Sequence, residues 1–142
     1  MTIPVRPSSG GDQVGPEAPT PYERMGGHDT FVRLVAAFYR GVAGDEPLRA
    51  LYPEEDLGPA EVRLRMFLEQ YFGGPHTYSE ERGHPRLRMR HAPYAVTPDM
   101  RDRWLRHMLA AADEIALPEA EDAELRSYLT YAADFMVNAP DA

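Results

Sequence analysis

Five histidines, fifteen arginines and no cysteine or lysine set the chemistry open to this chain. Without Cys there is no thiolate metal site, thiol nucleophile or disulfide framework. Without Lys there is neither a Schiff-base amine nor the lysine of a phosphate-binding P-loop. The histidines stand at 28, 76, 84, 91 and 107, with no HExxH and no paired ExxH, so the zinc-hydrolase and di-iron templates fail. Glu81 and His84 show the i, i+3 spacing once, where a di-iron site needs it twice and on helices. The carboxylates between Asp113 and Glu124 read as a solvated helix end and turn. The informative stretch is Arg82–Tyr94, RGHPRLRMRHAPY, in which Arg86, Arg88 and Arg90 alternate with Leu87 and Met89 and lead to His91, two residues before Pro93. A neutral imidazole placed there can ligate a haem iron, and neighbouring guanidiniums can pair with the haem propionates. A basic surface turn with an incidental histidine accounts for the same residues, and residue types alone leave both readings open.

The elements that must position such a histidine are bounded by size and charge. At 142 residues the chain suits one domain,. With 43% hydrophobic and 27% charged residues it can build a core, which excludes wholesale disorder,. Fifteen basic against 23 acidic side chains leave a net charge of −8. Such a surface repels phosphate backbones, so no nucleic-acid partner is expected. The exclusive use of Arg reads as coding bias. No apolar run approaches the roughly 18 residues of a membrane span, and the N-terminus lacks a signal-peptide layout, so a cytoplasmic location is expected.

Residues 1–21 hold five Pro, three Gly and none of the 14 aromatic residues, and read as a flexible tail that cannot offset its ordering entropy by burial. The domain spans 22–142. His28-Asp29-Thr30 offers an N-cap, and Phe31, Leu34, Val35, Phe38 and Val42 follow at helical offsets until Gly44,. Glu46–Tyr52 reads as a short helical turn stopped by Pro53. Pro59 fits the first turn of a helix with the stripe Leu64, Phe67, Leu68, Tyr71, Phe72, ended by Gly73-Gly74-Pro75,. Residues 75–86 are polar and aperiodic and read as a long loop, a feature that is often functional. Leu87–His91 reads as one or two helical turns, ended because Pro93 disfavours helical geometry at Ala92. Thr97-Pro98-Asp99 opens a helix to about Ile115, and Pro118 opens a last one carrying Leu125, Tyr128, Leu129, Phe135 and Met136,. With no alternating pattern and no repeat, the fold class is all-α.

From Tyr22 to about residue 138 the chain resembles the truncated haemoglobins, group II, of the actinobacterial type. The marks are Gly26-Gly27, Phe38-Tyr39, Tyr52-Pro53-Glu54, the run Arg63–Tyr71, Gly73-Gly74-Pro75, the whole of Gly83–Pro93, and Trp104 placed 13 residues after His91. The resemblance implies a two-over-two helical sandwich, with a long loop before the proximal histidine in place of a helix. It implies a b-type haem (iron protoporphyrin IX) with His91 as the iron ligand. It implies a distal cluster of Tyr39, Tyr52 and Trp104, with Ala60 and Leu64 on the distal helix. Phe38, Phe67, Leu68, Leu87, Met89, Tyr94 and Met108 would line the haem, and Arg63 and Arg90 would meet its propionates.

Such a pocket would leave one iron position open for O2, CO, NO or sulfide. Tyr39 and Tyr52 can donate from phenol O–H and Trp104 only from its indole N–H, whereas Ala60 cannot donate. Each neutral hydrogen bond contributes about 0.5–1.5 kcal/mol, so two or three would slow O2 escape by roughly ten- to several thousandfold. Two functional classes follow: an O2-binding protein, or a haem enzyme (NO dioxygenase or peroxidase-like) drawing on an external reductase. A haem-free helical interaction module is the third reading, and homo-oligomerisation stays open.

Overall fold

The structure, a computed structural model, describes residues 18–83 and 94–141. The expected turns at Leu87–His91, and the site residues Leu87, Met89, Arg90 and His91, lie outside the described residues. Among the described residues the fold is all-helical: α1 (Pro21–Met25), α2 (His28–Ala43), α3 (Glu46–Arg49), α4 (Gly58–Tyr71), α5 (Thr77–Arg82), α6 (Pro98–Ile115) and α7 (Glu119–Met136). α2 packs against both α4 and α6, and α6 packs against α7, which gives two helix pairs laid over each other. No described helix is long and apolar enough to cross a membrane.

The core sits where the pairs cross. Phe31, Leu34, Val35, Phe38 and Val42 of α2 are buried, as their helical spacing predicts,. They meet Phe67 and Leu68 of α4, Met108, Ala111 and Ala112 of α6, and Leu125 and Leu129 of α7. Each large apolar side chain so buried contributes about 1.5–3 kcal/mol relative to exposure. α2 and α6 approach closely at Gly41, where a Cβ would collide with the ring of His107.

The helix ends follow the sequence signals with three differences. Thr97 caps α6, its Oγ1 accepting from Met100 N at 3.1 Å, and Gly44 closes α2 as expected. Thr20 and Pro21, read as tail residues, belong instead to a capping box on α1: Glu23 N donates to Thr20 Oγ1 at 3.1 Å and Thr20 N to Glu23 Oε1 at 2.9 Å,. At α2, Gly27 takes the N-cap and no side chain caps the helix. Thr30 instead donates to Met25 O at 2.8 Å. That bond requires Gly26, whose φ of 113° and close approach to Thr30 exclude a side chain,.

The third difference is α5, within the segment 75–86 that reads as a loop. Thr77–Arg82 is helical because it is fastened to α4. Tyr78 is buried edge-on against Phe67, with centroids 5.7 Å apart. Gln70 brackets Ser79, donating to its Oγ at 2.7 Å and accepting from its N–H at 2.9 Å. One buried aromatic in six residues leaves no period to read.

Candidate functional site

A cavity of about 450 Å³ opens between the two helix pairs, within the usual size range of cofactor and ligand sites. One wall comes from α2, α3, α4 and the segment joining the last two: Tyr39, Leu48, Leu51, Tyr52, Ala60, Leu64, Phe67 and Leu68. The facing wall comes from α7, with Tyr128, Leu129, Ala132, Ala133 and Met136. α6 closes one end with Met100 and Trp104, and Arg63, Arg82, Tyr94 and Arg101 stand around the lining.

Three polar aromatics from three elements converge on this cavity. Tyr39, on α2, is buried and meets the ring of Tyr52 edge-on, with centroids 5.7 Å apart. Phe38 lies behind them, 4.9 Å from the Tyr39 ring and 5.4 Å from that of Trp104. Burial pushes the Tyr39 phenol well above its ordinary pKa. It raises Tyr52 as well, while hydrogen bonding to Tyr39 and Trp104 offsets part of that rise. Both phenols therefore stay protonated through the neutral range and keep an O–H to donate. Tyr39 also lies 3.5 Å from Ala60 O, a distance at which a phenol bond is weak and readily exchanged.

Charge gathers beside the apolar lining. Arg63 Nη2 donates to Glu54 Oε1 at 2.7 Å, while Glu54 Oε2 is buried without a partner. Arg101 pairs with Asp102 at 2.9 Å and with Asp134 at 3.2 Å. On the α7 wall the Tyr128 hydroxyl is also buried and unpartnered. Orphaned buried polar atoms are rare in native proteins. An apolar slot with hydrogen-bond donors on one side and guanidiniums along its lining fits a flat apolar group bearing carboxylates, as a haem is.

Of the residues singled out from the sequence, Tyr39, Tyr52, Ala60, Arg63, Leu64, Phe67, Leu68, Tyr94 and Trp104 line the cavity. Phe38 and Met108 are fully buried but do not line it. No described histidine is on its wall: His28 Nδ1 lies 2.8 Å from Glu69 Oε2 and His107 Nε2 lies 2.8 Å from Asp45 Oδ2. Among the described residues no three His, Cys, Asp or Glu form a metal cluster. The sequence reading missed Leu48, Leu51, Glu54, Arg101 and the α7 wall. Periodicity marks the α7 residues as buried, but not that they face a void.

Asp45 holds the ends of this site together. It caps α3 and accepts from Arg103 at 2.9 Å and His107 at 2.8 Å on α6, the helix that carries Trp104. The His107 bond, the Leu48 N–H and the Arg103 guanidinium hold its carboxyl below the usual range. A depressed folded pKa means the stabilisation is full above the unfolded value near 3.9 and is lost as pH falls through the folded value. Asp45→Asn therefore lowers stability in urea melts at pH 7 by about 1–3 kcal/mol. The difference from the parent shrinks as pH drops below about 4, and a difference constant with pH counts against the assignment.

Comparison with known proteins gives a consistent picture. A family model for bacterial-like globins matches residues 20–138. The group 2 truncated hemoglobin YjbI of Bacillus subtilis is 38% identical over 126 residues, 86% of this chain and 91% of that protein. The crystal structure of a thermostable hemoglobin from the actinobacterium Thermobifida fusca superposes with a TM-score of 0.85 at 62% identity, covering 87% of this chain and all (100%) of that one. A truncated oxygen-avid haemoglobin from Bacillus subtilis superposes with a TM-score of 0.80 at 38% identity, over 84% of this chain and 100% of that one.

Proposed function

The chain belongs to the bacterial-like globins, among them the group II truncated haemoglobins, and on that premise we propose that it binds O2 reversibly and releases it slowly, at a b-type haem held in the cavity. The observation that carries this reading is the convergence of Tyr39, Tyr52 and Trp104 on one largely apolar cavity. It is supported by the likeness to a haemoglobin described as oxygen-avid. When bound, a haem would supply an iron able to take a small ligand such as O2.

The protein's own groups do the rest. His91 would hold the iron, on the strength of the family resemblance. With the group bound, Trp104 would offer its indole N–H and Tyr39 its O–H to the ligand, groups that here hydrogen-bond with Tyr52. Tyr52 holds the two donors in one network. Phe67, Leu68, Leu129 and Met136 exclude water along the faces of the group,. Arg63, steadied by Glu54, meets a propionate.

Purified ferrous protein is expected to show a Soret band and to release O2 far more slowly than a pocket without donors. Absence of a Soret band after reconstitution with haemin removes the reading. NO-dependent oxidation measured on the same sample, with and without a reductase, separates binding from turnover.

A further inference from the structure

Tyr52 stands on a stretch of chain, 51–57, with no helix and no ladder to hold it. Pro53, directly after it, has no N–H to contribute. The backbone carbonyls of this stretch are held by Arg49, the last residue of α3. Its Nη1 donates to Tyr52 O at 3.1 Å, and its Nη2 donates to Glu54 O at 2.7 Å and to Glu55 O at 2.8 Å. In return the N–H of Tyr52 donates to Arg49 O at 3.0 Å. Both backbone groups of Tyr52 are thus bound by one residue. Arg49 is itself anchored, since its N–H donates to Asp45 O at 2.7 Å and Asp45 is tied to α6. A planar guanidinium can serve three carbonyls at once, which a lysine ammonium on a flexible stem does poorly.

We propose that Arg49 is a positioning residue for the distal site: by gathering the carbonyls of 52, 54 and 55 it fixes where the Tyr52 hydroxyl stands in the cavity, and through it the rate of O2 release. This rests on the O2-binding reading above, and the test has one arm that does not. Arg49 is not among the residues lining the cavity, so its removal reaches the site through the stretch it holds, Tyr52 above all.

Arg49→Ala and Arg49→Lys are made in the full chain, each also in a Tyr52→Phe background. Hydrogen exchange on the haem-free and haem-loaded chains should speed in the amides of 51–57 and stay unchanged in α2 and α7. If exchange in 51–57 is unchanged, the proposal is overturned whatever the protein binds. In the haem-loaded chain, Arg49→Ala should keep the Soret band and speed O2 release on the order of tenfold, with a smaller change for CO. Arg49→Lys should fall between and covers the case in which Arg49→Ala does not fold. In the Tyr52→Phe background the effect on O2 should vanish, because the two residues act in series. Equal acceleration of O2 and CO in both backgrounds means that Arg49 only stabilises the fold, and it overturns the proposal. A chain that takes no haem but shows the local loosening refutes the O2 reading while leaving the clamp intact.

Discussion

The His91→Gly chain is expected to purify without a stable Soret band and to regain one when imidazole is added. On the proposed reading the haem would be held by one protein–iron bond, by apolar contact and by Arg63 at a propionate, and removing the bond leaves only the weaker contacts. Free imidazole replaces the missing ligand because glycine opens a space of its size. His91 lies outside the described residues, and its assignment rests on the segment RGHPRLRMRHAPY and on the family. The structure contributes the other side of the comparison. His28 is engaged with Glu69 and His107 with Asp45, and His76 is exposed before α5. None of the three lines the cavity. His28→Ala, His76→Ala and His107→Ala should therefore keep the haem spectrum. His107→Ala should lower stability as well, since it removes a partner of the buried Asp45 carboxylate. An unchanged five-coordinate ferrous spectrum in His91→Gly without imidazole would make another residue the ligand.

Most helices were legible where a cap or a stripe made a local signal, the exception being α1, whose capping box of Thr20 and Glu23 begins in residues read as tail. Thr97-Pro98-Asp99 places the start of α6 because the threonine oxygen and the proline ring act within a single turn,. The stripe from Phe31 to Val42 places α2, although Gly27 and not a side chain begins it. α5 was not legible, because what makes it a helix is Phe67 and Gln70, on a different helix. The same limit applies to the site. Tyr39, Tyr52 and Trp104 come from α2, from an irregular stretch and from α6, and no spacing rule joins residues so far apart. They emerged from the sequence only through resemblance to a family. Arg49 and the α7 wall did not emerge at all. A clamp on backbone carbonyls depends on chain geometry rather than side-chain pattern, and a void is a property of three packed elements together.

Trp104→Phe is expected to speed O2 release the most among the distal variants, by about ten- to a hundredfold, the equivalent of roughly 1.4–2.8 kcal/mol. It keeps an aromatic ring beside Phe38 but removes the indole N–H and opens space at the ligand. Tyr39→Phe and Tyr52→Phe each remove only a hydroxyl, so their effects should be smaller. They should also be less than additive when combined, because both phenols belong to one hydrogen-bonded network,. CO carries less negative charge than O2 in such a pocket, and its release should respond less in every variant. Acidity adds a second signature. Burial holds both phenols above their ordinary pKa near 10, so they stay neutral donors and O2 release should be flat between about pH 6 and 9. Stopped-flow release of O2 and CO across that range separates the causes. Equal acceleration of the two gases assigns the effect to a steric barrier. A Trp104→Phe chain that releases O2 at the parent rate removes the indole as a donor to the ligand and leaves the two phenols to account for slow release.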